Sequence, residues 1–168
     1  MRIIQIIASL SGLLSLGNTL VVPSEAGHKN SDIIVATRDI LPRAGEATLT
    51  AVSITFHTND EDKDGDSHLT ITLKDSVKTI SATIDSDFVH FDDDHNYGPY
   101  NLDVFYPSTR SEVRAGTVTL RLDPKGHDTW RFNWQMTMTF SDGTRMRAQA
   151  AGVELSQDHR EKTWSVVG

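Results

Sequence analysis

The chain has no cysteine, so it has neither disulfides nor a cysteine nucleophile. Small exported domains often lean on disulfides; this one must be held by its core alone or by a core plus a bound ion. Basic residues are in deficit: 16 Lys plus Arg stand against 23 Asp plus Glu in 168 residues, a formal net charge of -7 and a pI near 5.4. Nucleic-acid affinity rests on Lys and Arg neutralising phosphates, so no nucleic acid is expected as a partner. There is no Asn-x-Ser/Thr sequon, and no G-x-S-x-G elbow, P-loop or Rossmann glycine pattern. Internal repeats and low-complexity linkers are also missing. What remains is 38% hydrophobic and 23% charged, ordinary for one globular domain.

The single long apolar run is N-terminal. Met1 and Arg2 give a short positive start, Ile3 to Val22 carries no charge, and Ser24-Glu25-Ala26 follows Pro23. This predicts a secretory signal peptide over 1–26, cut before Gly27, and a secreted or extracytoplasmic location. Ile3 to Val22 is about long enough to span a bilayer, but Gln5, Gly12, Gly17 and Asn18 interrupt it. No second run of that length follows, so no transmembrane span is expected in the mature chain. Residues 27–47 read as a lead-in segment with one edge strand at Ile33 to Ala36.

From Thr48 onward, over 48–168, the apolar period is two. Val52, Ile54 and Phe56 alternate with polar residues, as do Leu69, Ile71 and Leu73, and the two runs read as neighbouring strands. Further sets are Ile80, Ala82 and Ile84; Val89 and Phe91; Tyr100, Leu102, Val104 and Tyr106; and Val118, Leu120 and Leu122. The clearest is Trp130, Phe132, Trp134, Met136, Met138 and Phe140, a strand with one buried face. Asp142-Gly143 then supplies turn chemistry for a hairpin returning through Met146, Ala148 and Ala150. No stretch shows the i, i+3, i+4, i+7 spacing of a helix. The expectation is an all-β protein, an antiparallel β-sandwich of about seven or eight strands.

Between the first two runs lies Asn59-Asp60-Glu61-Asp62-Lys63-Asp64-Gly65-Asp66-Ser67, which contains D-x-D-x-D-G. Alternate carboxylates around a Gly-enabled turn suit Ca2+, which takes six to eight oxygen ligands. The twelfth loop position from Asp60 is Ile71, so the EF-hand pattern fails. Asp60, Asp62, Asp64 and Asp66 are candidate ligands, and Asp92, Asp93 and Asp94 form a second acidic cluster that a meander would bring to the same end. The competing reading is a solvated acidic turn. His57, His68 and His90 flank these clusters but show no compact zinc-ligand spacing. Trp130 and Trp134 share parity with the core residues, which favours packing over carbohydrate stacking.

Val52 to Thr58, the acidic loop and Leu69 to Leu73 resemble the opening strands of PLAT (lipoxygenase-homology, C2-like) domains. Ala115 to Asp123, then Gly126 and Trp130, is similar to a later strand-loop-Trp-strand segment of that family. The resemblance implies an eight-stranded β-sandwich that binds Ca2+ in some members and serves membrane or protein attachment; it points to the same four loop aspartates. Asn59 departs from the family, which usually has Gly there, and these 168 residues hold none of the lipase or lipoxygenase catalytic domain to which family members are commonly attached. The functional expectation is a secreted, non-enzymatic binding module, attached in a Ca2+-dependent manner to a lipid surface or an exported protein. The alternatives are a small secreted metal-assisted hydrolase and a carbohydrate-binding module.

Overall fold

The strand that begins at Thr129 sets the core. Its even-numbered side chains, from Trp130 to Phe140, are all buried, while every odd-numbered one is partly exposed. Burying each such side chain contributes about 1.5–3 kcal/mol relative to leaving it in water. The computed structural model describes residues 45–167, which belong to the compact unit Asp39–Gly168. The expected signal peptide over 1–26 and the edge strand at Ile33 to Ala36 lie outside the described residues.

The elements are β1 (Leu49–Glu61), β2 (His68–Lys74), β3 (Ile80–Ser86), β4 (Asn96–Val104), a short helix α1 (Arg110–Arg114), β5 (Thr117–Asp123), β6 (Thr129–Phe140), β7 (Arg145–Ser156) and β8 (Glu161–Ser165). All neighbours pair antiparallel, in the order β7-β6-β1-β4-β3-β2-β5-β8. The all-β antiparallel architecture is the one the alternation predicts. Its eight strands form one continuous sheet, because β4 pairs with β1 through Asn96 to Leu102 and with β3 through Asp103 and Val104. The sheet curls on itself: Trp134 of β6 meets Trp164 of β8 edge to face, with ring centroids 5.3 Å apart. Among the described residues no helix is long and apolar enough to cross a membrane.

Three expectations need correction. The strands β1 and β2 are not neighbours; β1 lies between β6 and β4, and β2 between β3 and β5. The acidic segment joining them is therefore a crossover rather than a hairpin turn. Val89 and Phe91 do not form a strand: Phe91 makes an isolated bridge to Lys63, and Val89 is 62% exposed. In β3 the pattern is inverted at its start, with Ile80 exposed and Ser81 buried. Ser81 Oγ lies 2.7 Å from Ser108 Oγ, which donates to Asp75 Oδ2 at 3.1 Å, a buried polar network that outweighs the apolar preference of Ile80.

The aromatic centre of the fold sits under the acidic crossover. Trp130 stacks on Phe132 and packs against Phe56 at 5.1 Å and Phe91 at 5.5 Å. The Trp130 indole N–H donates to Thr58 Oγ1 at 3.2 Å, so this buried donor is satisfied.

Candidate functional site

A register shift between Thr58 and Glu61 reverses the alternation at the end of β1, so that in the crossover Lys63 is buried while Asp62 is half-buried and Asp64 exposed. Lys63 has no exposed surface. Its ammonium donates to the carbonyl oxygens of Asp64 and Asp87, each at 2.8 Å. Beneath the loop, the buried Asp128 accepts from the Ser67 hydroxyl and, at 3.3 Å, from the Asp64 N–H. Burial pushes the Lys63 pKa down, with Asp128 foremost among the carboxylates pulling it back up. Burial likewise pushes Asp128 up, against the Ser67 hydrogen bond. Part of the positive charge that the acidic loop needs is thus supplied from inside by its own lysine.

The bridge between Lys63 and Phe91 brings the second acidic cluster alongside the first. His90 Nε2 lies 3.2 Å from Asp62 Oδ2 and 3.5 Å from Asp92 Oδ1. Ligating atoms of Asp62, Asp64 and His90 all fall within 4.8 Å of one another, the one such group among the described residues. The remaining candidates lie outside it. Asp60 faces Arg131 at 3.5 Å, and Arg131 also holds Glu154 at 2.9 Å. Asp92 accepts from the Tyr97 hydroxyl at 2.8 Å, which lowers its pKa. The Asp93 carbonyl lies 2.6 Å from His95 Nδ1, and the Asp94 carboxylate 3.6 Å from His57 Nε2. Asp66 is exposed and outside the group. His68 is held elsewhere, between Asp87 at 2.7 Å and Asp85 at 2.6 Å, and the two carboxylates raise its pKa.

Two carboxylates and an imidazole can anchor a divalent cation whose other positions are filled by water. The set is leaner in oxygen than the four aspartates implied by the PLAT resemblance, and its nitrogen donor also suits Zn2+. Beside it runs a cleft of about 500 Å³ lined by Glu61, Asp62, Asp64, Asp128, Glu154 and Asp158, with Arg131 as its one lysine or arginine.

A second feature escaped the sequence reading. The outer face of β4, β1, β6 and β7 is dished into a concavity of about 670 Å³. Its lining holds Thr55, His57, Asn96, Asn133, Gln135 and Gln149, and has no Asp, Glu, Lys or Arg. Register shifts at Ile54/Phe56 and at Phe132/Trp134 bend the strands around it. Gly98 closes one wall at φ +101°, where a Cβ would meet the Ile54 carbonyl oxygen at 2.7 Å. Trp134 borders the hollow, but its indole packs inward against Trp164, where Nε1 is a buried donor without a partner. The only sequence signal was the run of amides at odd positions of β6, which alternation assigns to the outer face without showing that the face is concave.

Comparison with protein-family models and with curated proteins returns no match for this chain.

Proposed function

We propose that the chain is a secreted, non-enzymatic, PLAT-like binding module that attaches to a lipid surface or an exported protein through a divalent cation, Ca2+ in the first instance. The observation that carries this reading is the convergence of Asp62, Asp64 and His90 from two acidic segments at one end of the sheet. Asp62 and Asp64 would hold the ion, with His90 beside them; bound there, it places positive charge between the acidic end and an anionic headgroup or carboxylate that would otherwise be repelled. A water-completed site of this kind belongs in the range of extracellular Ca2+ modules, with dissociation constants on the order of 10⁻⁴–10⁻³ M. The concavity on the outer face of β4, β1, β6 and β7 favours binding over hydrolysis, since its lining has no carboxylate pair to serve as acid and base.

The test is a melting curve in Ca2+, Zn2+, Mg2+ or chelator, together with sedimentation on phosphatidylserine vesicles. A free ion at a hundredfold its dissociation constant stabilises the folded state by about 2.7 kcal/mol. For a domain of this size that raises the melting temperature by about 5–10 °C. Mg2+ should do less, because it gives up water reluctantly. A melting temperature indifferent to all three ions and to chelator would leave the loop as a solvated turn and remove the ion-bridged mechanism.

A further inference from the structure

We infer that the concavity on the outer face of β4, β1, β6 and β7 is a binding site for a neutral saccharide, separate from the cation cluster. In a chain with a net charge of -7, a hollow of about 670 Å³ without a carboxylate, lysine or arginine in its lining is a distinct chemical environment. Its volume lies within the roughly 300–1,000 Å³ usual for small-molecule sites. What lines it instead are carboxamides, each offering an acceptor oxygen and donor hydrogens. A sugar hydroxyl both donates and accepts, so pairs of amides match vicinal hydroxyls without a charge to desolvate.

The amides are held in place before any ligand arrives. Gln135 Nε2 donates to Gln149 Oε1 across β6 and β7 at 3.2 Å. Asn133 Oδ1 accepts from the Gly152 N–H at 2.8 Å, and its Nδ2 donates to Asn59 Oδ1 at 3.0 Å. Asn96 Oδ1 lies 3.1 Å from His57 Nδ1. Such cross-strand ties cut the side-chain ordering that binding would otherwise require. The rings of Tyr97 and Trp134 lie against Phe91 and Trp164 on the inner side, so the hollow presents amides and hydroxyls rather than an aromatic platform. An extended peptide would instead add to a free strand edge through its backbone; the hollow lies across the face of β4, β1, β6 and β7, with the end strand β7 along one side, and its polar groups are chiefly side-chain amides and hydroxyls.

The test is binding of the full chain to an array of neutral gluco-, xylo-, manno- and N-acetylglucosamine oligosaccharides, followed by calorimetric titration of those that bind. Binding to at least one glycan is expected, and it should be insensitive to chelator and to salt, because neither partner contributes a charge. Gln135→Ala with Gln149→Ala should weaken it by about tenfold or more, two hydrogen bonds being lost, with the melting temperature checked alongside. Gln149→Glu, which places a charge in the hollow at nearly constant shape, should weaken it as well and covers the case in which the double variant misfolds. No binding to any neutral glycan, affinity unchanged in these variants, or capture of extended peptides in place of glycans would each overturn the inference. Binding that vanishes in chelator or in Asp62→Asn would move the ligand to the cation cluster and overturn it too, whereas loss of ion binding alone leaves it standing.

Discussion

Lys63 and Phe91 exchange two backbone hydrogen bonds, of 3.1 and 3.0 Å, and the ammonium of the lysine lies 5.5 Å from the centre of the phenylalanine ring. This one residue pair fastens the first acidic segment to the second and covers the aromatic centre beneath them. Lys63→Met keeps the packing of the stem but leaves the carbonyl oxygens of Asp64 and Asp87 without their donor and Asp128 without its neighbouring cation. The expected loss is about 3 kcal/mol, the scale for breaking a buried charged contact from one side, read from urea midpoints.

Stability at neutral pH should depend on His68. Hydrogen bonds donated to the Asp87 and Asp85 carboxylates raise its pKa above the ordinary value of 6.5, so its contribution is fully present below about 6.5 and is lost as pH rises through the raised value. His68→Gln should flatten this alkaline limb, measured as the difference in urea midpoint between pH 5.5 and pH 8.5.

In acid the sign reverses. The Thr144 hydroxyl and N–H, with Arg110, hold the Asp142 pKa down to about 2. Its contribution is present above the unfolded value near 3.9 and fades as pH falls toward 2. Asp142→Asn should reduce the steepness of acid unfolding monitored by circular dichroism.

If an ion sits at the cluster, the aspartates divide into two groups. Asp62→Asn and Asp64→Asn should each remove most of the Ca2+-induced rise in melting temperature, whereas Asp60→Asn and Asp66→Asn should leave it nearly intact, because those carboxylates lie outside the cluster. Equal losses at all four positions would indicate diffuse screening rather than a site.

Gly116 follows the turn after α1, and a Cβ there would lie 2.1 Å from the Lys74 carbonyl oxygen and 2.9 Å from that of Val113. Neither oxygen belongs to a side chain that can move aside. Gly116→Ala should therefore cost about 3 kcal/mol, the upper part of the usual range for overpacking, whereas Gly126→Ala has nothing within 4 Å and meets only the backbone strain of its φ of +105°. Thermal unfolding of the two variants side by side checks this.

Faces were readable in the sequence, and neighbours were not. Trp130 to Phe140 announces which side of β6 is buried because side chains alternate regardless of what pairs with the strand. Pairing is set by the path of the connections, so Val52 to Phe56 and Leu69 to Leu73 looked adjacent while the chain between them crosses from one half of the sheet to the other. The strand β8 went unseen because only Trp164 among its five residues is a large apolar side chain. At the candidate site, the nearness of the two acidic clusters was legible in outline. The buried lysine was not, since a lysine amid aspartates reads as a solvated charge. The division of the aspartates depends on which carboxylates Arg131, His90 and Tyr97 claim, and no spacing rule contains that information.

The placement of β1 between β4 and β6 has a temporal side. Leu49 is opposite Phe140 and Val52 opposite Leu102, so the first described strand must wait for residues far along the chain before either of its edges is covered. Loops of that length are closed before any contact rewards them, and such topologies fold on the millisecond-to-second scale rather than in microseconds. A chain made or threaded N-terminus first carries β1 with both edges bare until β4 has emerged and with one edge bare until β6 follows, which makes the Leu49 to Phe56 segment the natural target for a holding chaperone and the first place where two unfinished copies would stick together.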